Sequence, residues 1–339
     1  MRRVLLCALG LLALGLSTTA VAAPSNTAAP ATLAVIGDTP YGAPQVANFP
    51  NDVTRINNDA AVSRVVHLGD IKNGSTECSN AYFQQIATNF DAFADPLVYT
   101  PGDNEWTDCH RANNGAYDPL ERLARIRQVL FPVAGQTLGQ EVAIESQGGP
   151  IVENVTWSQG GAQFGTVHVV GSNNSLAPWT GNTAPTIAQL AEFDQRLDAD
   201  LKWIDHIFAE AHRTKAAGVA IGMQADMWDP EATAGFDEIV KRLAQRAHAF
   251  HKPVLLLQGD SHQWHVDHPF TPGDPGYGKY VLPVDAPNLT RVVVQGSTSC
   301  PHTYLRLRVD ASPDAVFSGQ NVVLPLGTSC DSATLPGGF

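Results

Sequence analysis

A short apolar run that ends in Gly-Asp occurs four times in this chain, and no other feature constrains its fold as much. The runs are Leu33 to Asp38 (LAVIGD), Val65 to Asp70 (VVHLGD), Leu97 to Asp103 (LVYTPGD) and Val254 to Asp260 (VLLLQGD). A β-branched and Leu-rich run of this length, closed by glycine, predicts a buried strand. The glycine permits a sharp turn as the chain leaves the sheet. The aspartate then stands just past the carboxyl end of the strand, where open α/β sheets place their ligands. Four such corners predict that Asp38, Asp70, Asp103 and Asp260 gather at one sheet edge. Carboxylates held together repel one another unless something positive sits among them, and a metal ion is the general solution.

Strand and helix alternate from Leu33 onward. Helices are predicted over 46–60, 79–93 and 120–130, the last opened by Asp118 with Pro119 at the first helical position. The Gly-rich stretch 135–161 reads as loop with short strands, such as 153–158. Strands are expected at 163–170 and 218–223, and a long amphipathic helix at 185–213. A helix over 233–251 ends in His248, His251 and Lys252, cations suited to the negative end of its dipole. Strands at 291–295 and 304–310 close the pattern. This order predicts an α/β fold of two packed mixed β-sheets flanked by helices.

The first residues read as a signal peptide over 1–23: MRR, then VLLCALGLLALGL, then the small residues STTAVAA. The alternative is an uncleaved anchor, for which the apolar stretch is short. A flexible tether is expected at 24–31 and a single domain over 32–339. Losing the leader removes Arg2 and Arg3 and takes the formal charge from −12 to −14. So acidic a chain has no electrostatic footprint for nucleic acid or an anionic membrane surface. It is still compatible with an anionic substrate if a cation bridges the two. The expectation is a monomer outside the cytoplasm, periplasmic or secreted, with no stable membrane association once the leader is cleaved. Four cysteines remain, Cys78, Cys109, Cys300 and Cys330. An even count in an exported protein predicts two disulfides. Of the three connectivities, Cys78–Cys109 with Cys300–Cys330 is favoured, because each pair flanks one region of the chain. Buried free thiols are the alternative, and the spacings do not fit a zinc ribbon.

The strand-end motifs run in the order GDTPY at Asp38, GDIKNG at Asp70, GDNEW at Asp103, MQADMW around Gln224 and GDSHQWH at Asp260. In that order, over roughly 33–310, the chain resembles the calcineurin-like metallophosphoesterases. That family runs Asp-x-His, Gly-Asp, Gly-Asn-His-Asp/Glu, a lone His, then Gly-His-x-His. The resemblance implies an α/β/β/α sandwich and one or two divalent metal ions. It also implies a small phosphomonoester or phosphodiester substrate, attacked at phosphorus by metal-activated water.

Asp38 and Asp70 match the family pattern directly, Asp70 at the bridging carboxylate, and His262 keeps the second His of the last motif. Elsewhere the chain departs from it. Pro40 replaces the first His, Asp103 the ligand Asn, and Asn104 the catalytic His. Gln224 replaces the lone His, with Asp226 two residues on, and Asp260 replaces the first His of the last motif. The implied ligand set is Asp38, Asp70, Asp103, Gln224, Asp226, Asp260 and His262. Imidazole has given way to oxygen, which selects a hard cation: magnesium, calcium or manganese.

Asn104 can donate a hydrogen bond but has no proton to transfer, so the general acid falls to His262 or His265, or the leaving group departs without one. His67, inside the second strand, reads as a packed core histidine. Trp106, Trp228 and Trp264 follow the site motifs. They either rim the site for stacking on a base, sugar or aryl group, or wedge the loops against the sheet. Lys72 and Arg111 either meet a phosphate oxygen or lie in solvent. Gly259-Asp260-Ser261 comes too late in the chain for a serine esterase, and no Gly-x-Ser-x-Gly elbow or nucleotide phosphate loop exists. The rival to a hydrolase is a non-catalytic relative that binds a cation or ligand, or a decayed site that binds nothing.

Overall fold

The computed structural model describes residues 28–229, 232–311, 315–324 and 335. The expected signal peptide and Cys330 lie outside these residues, as does the first half of the tether, 24–27. The first half of the chain supplies β1 (Ala31–Ile36), α1 (Gly42–Asn57), β2 (Val62–His67), α2 (Asn80–Asp91), β3 (Pro96–Tyr99), α3 (Pro119–Leu130) and the short β4 (Leu138–Gly139). The second half supplies β5 (Glu145–Ser146), β6 (Val155–Gln159), β7 (Ala162–Thr166), α4 (Ile187–Thr214), β8 (Val219–Gly222), α5 (Asp237–Phe250) and β9 (Val254–Gln258). It closes with β10 (His265–Asp267), β11 (Leu289–Val293), β12 (Thr303–Val309) and β13 (Phe317–Val323).

One sheet has the order β13-β12-β1-β2-β3-β4, the other β10-β11-β9-β8-β7-β6-β5. Both are mixed. β1, β2 and β3 run parallel, with β12 antiparallel to β1. β7, β8, β9 and β11 run parallel, with antiparallel strands outside them.

Side-chain alternation explains why the Gly-Asp strands are apolar at nearly every position. In β1, Ala34 and Ile36 pack with Phe49 and Val53 of α1 and Phe90 of α2. Leu33 and Val35 point the other way, to Phe164, Leu255 and Leu257 of the second sheet. β9 mirrors this, with Val254 and Leu256 against Ile204 and Ile207 of α4 and Leu243 of α5. Strands covered on both faces need apolar residues at odd and even positions alike. Each fully buried Val or Leu contributes about 1.5–3 kcal/mol. The result is the α/β/β/α sandwich, with the parallel strands of both sheets ending on the same side.

Local signals set most boundaries. Asp118 accepts from the N–H groups of Leu120 and Glu121, and Pro119 opens α3. Thr186 and Gln189 form a reciprocal capping box at the start of α4. α1 starts earlier than periodicity suggests, at Gly42, and α5 later, at Asp237. The strand expected over 163–170 stops at Thr166. Beyond it the His168 N–H donates to Asn154 and its carbonyl accepts from Arg196 of α4. Side chains thus replace the ladder, and a turn at Gly171–Asn174 follows, with Ser172 and Asn173 left-handed. An apolar run alone does not separate a strand from another buried segment.

The Cys78–Cys109 disulfide forms, with Cα atoms 5.9 Å apart. Cys300 is buried, and Cys330, its expected partner, lies outside the described residues. Among the described residues no helix is long and apolar enough to cross a membrane.

Candidate metal centre

The four corners are built in a way that corrects the expected role of glycine. Asp38, Asp70 and Asp260 are themselves left-handed, with φ of 52°, 55° and 70°. Aspartate tolerates this region better than most residues. Among the glycines just before the four aspartates only Gly69 has positive φ, 88°. The glycines chiefly make room. A Cβ on Gly102 would lie 2.1 Å from Asp70 Oδ1, and one on Gly259 2.6 Å from Asp38 Oδ2. Each of these glycines lets the carboxylate of a neighbouring corner lie against its own strand end. At these two corners the glycine leaves the space that another strand end's aspartate fills, while Gly69 makes room for the Gly102 backbone and Gln224.

Carboxylate oxygens of Asp70, Asp103 and Asp260 all lie within 4.8 Å of one another. Asp38 adjoins them, its two oxygens accepting the Asp260 N–H at 3.0 and 3.1 Å. His262 Nε2 lies 3.4 Å from Asp38 Oδ1. Burial, then the charges of Asp103, Glu105, Asp38 and Asp260, pushes the Asp70 carboxyl well above the ordinary range. Burial and the charges of Asp103, Asp38 and Asp226 do the same to Asp260. Burial also raises Asp38, against the opposing hydrogen bond and charge of His262. For His262, burial alone would lower the pKa, but the hydrogen bond and charge of Asp38, with the charge of Asp103, raise it.

Apart from His262, the nearest basic side chains are tied to other partners. Lys72 is fully buried, and its ammonium donates to the Asn104 carbonyl at 2.6 Å and Asn114 Oδ1 at 3.0 Å. Burial takes its pKa down to about 8. Lys72 is thus a strut under the third motif, neither solvated nor exposed to a phosphate. Arg111 pairs with Asp108 at 2.6 Å.

The remaining sequence-predicted residues take varied places. Asn104 donates to Asp70 twice, from its backbone N–H at 3.1 Å and its side-chain amide at 2.5 Å. Gln224 accepts the Gly171 N–H at 2.7 Å and turns its NH₂ toward Asp103 Oδ1 at 3.4 Å, so it steers Asp103 rather than offering an oxygen. Asp226 donates its N–H to Asp260 at 3.2 Å, while its carboxylate turns away to Arg291 at 2.5 Å and Ser261 at 2.8 Å. His265 is exposed on β10 and hydrogen-bonded to Asp267 at 2.9 Å, outside the carboxylate cluster. Trp106 is a wedge, fully buried against His168 and Arg196. Trp228 and Trp264 line an adjoining pocket. His67 is a core residue. Its Nε2 faces the Thr39 carbonyl, its Nδ1 the Gly69 N–H, and burial takes its pKa to about 4.

Three functional contacts escaped the sequence. Tyr41 donates its hydroxyl to Asp70 Oδ2 at 3.0 Å and touches His262 Nε2 at 3.3 Å. Glu105 Oε1 gathers the N–H groups of Asp70 and Gly102 and the hydroxyl of Tyr99. Ser172 bridges Asp103 and Asp108 at 2.9 and 2.8 Å. Tyr41 sits in GDTPY and Glu105 at the family's Asp/Glu place, so both left a signal. Ser172 left none, because it arrives from a distant left-handed turn.

Buried, close and acceptor-rich, the donor set suits a hard divalent cation. Neither a protein-family model nor a curated protein sequence matches the chain. Solved structures do. A dimetal phosphatase from Danio rerio superposes with TM-score 0.51 at 11% identity, over 90% of this chain and 98% of that one. GAP50, the anchor in the inner membrane complex of Plasmodium, gives 0.52 at 9% identity, over 91% and 89%. A purple acid phosphatase from yellow lupin gives 0.51 at 11% identity, over 91% of this chain and 54% of the plant one. The fold is that of the calcineurin-like metallophosphoesterases, and this chain carries a divergent form of it in which aspartates crowd the strand ends.

Proposed function

We propose that the chain is a metal-dependent hydrolase of small phosphoesters that acts outside the cytoplasm. One observation carries this reading: three carboxylates meet within 4.8 Å at the strand ends. Asp70, Asp103 and Asp260 would hold a hard divalent cation, magnesium, calcium or manganese, with Asp38 and His262 completing the set or holding a second ion. Such an ion, when bound, supplies Lewis-acid polarisation of a phosphoryl oxygen and a more acidic water. The chain's own residues orient and protonate. Tyr41 and Asn104 fix Asp70, and Ser172 and Gln224 fix Asp103. Where Asp38 completes the set without it, His262, its proton held more firmly by Asp38, is the group placed to protonate a leaving oxygen; bound to an ion, the same nitrogen has no proton to give. Export is supported by the Cys78–Cys109 disulfide.

A second reading, a non-catalytic protein that binds a cation or ligand, is favoured by Asn104 in place of the catalytic His. It is also favoured by a structural neighbour described as an anchor. The test is hydrolysis of a phosphomonoester and phosphodiester panel after loading with each metal in turn. Metal-dependent turnover lost in His262→Ala and Asp70→Asn supports the hydrolase. Stoichiometric metal without turnover on any substrate supports the second reading.

A further inference from the structure

Beside the carboxylate cluster lies an open pocket of about 570 Å³, lined by Trp228, Asp229, Ser261, Gln263, Trp264 and Lys279, among others. It shares a wall with the cluster. Ser261 directly follows Asp260, and Asp226 gives its N–H to Asp260 Oδ2 at 3.2 Å while its carboxylate lines the pocket. We propose that this pocket holds the organic half of the phosphoester, and that this half is a planar, amino-bearing aromatic group of the nucleobase kind. The inference rests on the hydrolase reading above and names its substrate class.

The pocket is built rather than incidental. The Arg291 guanidinium, buried in its floor, takes Asp267 in two bonds at 2.8 and 2.6 Å and Asp226 at 2.5 Å. It also lies 5.0 Å from the centre of the Trp228 ring. The Trp228 indole N–H is tied to the Gly276 carbonyl at 3.2 Å, and its ring packs on Phe270 and Tyr280. The floor charges are engaged with one another, and the one lysine of the lining, Lys279, donates to the Trp228 carbonyl at 2.5 Å and faces the charges of Asp226 and Asp229. Trp264 is half-buried, its indole packed against the inter-sheet core while lining the pocket. That makes it a stacking surface. Asp229 and Gln263 are exposed at the rim. A rim carboxylate favours a donor such as an exocyclic amine and disfavours an anionic ring.

The probe is adenosine, which carries no phosphate, titrated calorimetrically into the whole chain in the presence of chelator. Saturable binding is expected for adenosine and cytidine, about tenfold or more weaker in Trp264→Ala. Asp229→Asn should weaken adenosine and leave uridine unchanged. Near-ultraviolet circular dichroism checks the fold, and Trp264→Phe, which keeps a ring, should retain most of the affinity. Asp70→Asn should bind adenosine like the wild type, since the pocket does not need the metal. No saturable adenosine binding, or equal affinity in Trp264→Ala, overturns the inference. Metal-dependent hydrolysis with no preference for base-bearing esters overturns it while leaving the hydrolase reading intact. Nucleoside binding without hydrolysis keeps the pocket and removes the hydrolase.

Discussion

Replacing Asp70 with Asn should stabilise the metal-free protein at high pH and abolish its response to metal. Asp70 oxygens lie within 4.8 Å of Asp103 and Asp260. At that distance and an effective dielectric near 20, each like-charge pair costs about 3.5 kcal/mol, so two pairs cost about 7 kcal/mol. Keeping a proton on Asp70 is the cheaper route. Its raised pKa means that the cost of keeping that proton grows as pH rises above the unfolded value of 3.8. The sign follows from the raised folded pKa: the native state binds the extra proton. The favourable contribution is full below the unfolded value and is lost as pH rises toward the folded one.

Asparagine removes that loss but surrenders one acceptor oxygen, and the Asn104 amide contact goes with it, at about 1–3 kcal/mol. That loss of about 1–3 kcal/mol does not depend on pH, so the balance should shift toward the variant between pH 5 and pH 8. Urea unfolding with chelator at the two pH values measures it. Added manganese should then raise the wild type, more at pH 8 than at pH 5, and leave the variant unchanged. A variant less stable than the wild type at pH 8 without metal would refute the account of the cluster.

Three further outcomes are expected. Gly102→Ala places a Cβ 2.1 Å from Asp70 Oδ1, so it should cost about 1–3 kcal/mol in a melt and weaken manganese binding in a titration. Glu153, buried between Arg127 and His168, has its pKa drawn down to about 2, because their hydrogen bonds and charges overcome the opposing effect of burial. Glu153→Gln should therefore cost about 3–5 kcal/mol above pH 5, a gap that closes as pH falls through the folded value and is read by acid unfolding. Removing the 78–109 disulfide with paired serines should cost about 2–4 kcal/mol in chemical denaturation.

How much of this was legible in the sequence depends on how local each signal is. The Gly-Asp strands were readable because burial on both faces leaves an unbroken apolar run, and the Asp118–Pro119 cap because capping chemistry is local. The end of β7 was not, because Arg196 and Asn154, far along the chain, supply the hydrogen bonds that replace its ladder. Asp38, Asp70, Asp103 and Asp260 were nameable from their strand ends. The turning of Gln224 and Asp226 to other partners was not, since Gly171 and Arg291 claim their oxygens from other elements. The sequence offers Lys72 either to a phosphate oxygen or to solvent, and only the packing around Asn104 and Asn114 makes it a buried strut. The glycines were read as hinges because φ is what glycine usually supplies. Their work here is to clear space between corners, a relation between segments that no single segment contains.

The most direct test of the central claim is metal content by elemental mass spectrometry after loading and gel filtration, for the wild type and Asp70→Asn together. The account predicts at least one magnesium, calcium or manganese ion per wild-type chain and none in the variant. Stoichiometric zinc held equally by both proteins, or no metal in either under any loading condition, would contradict it.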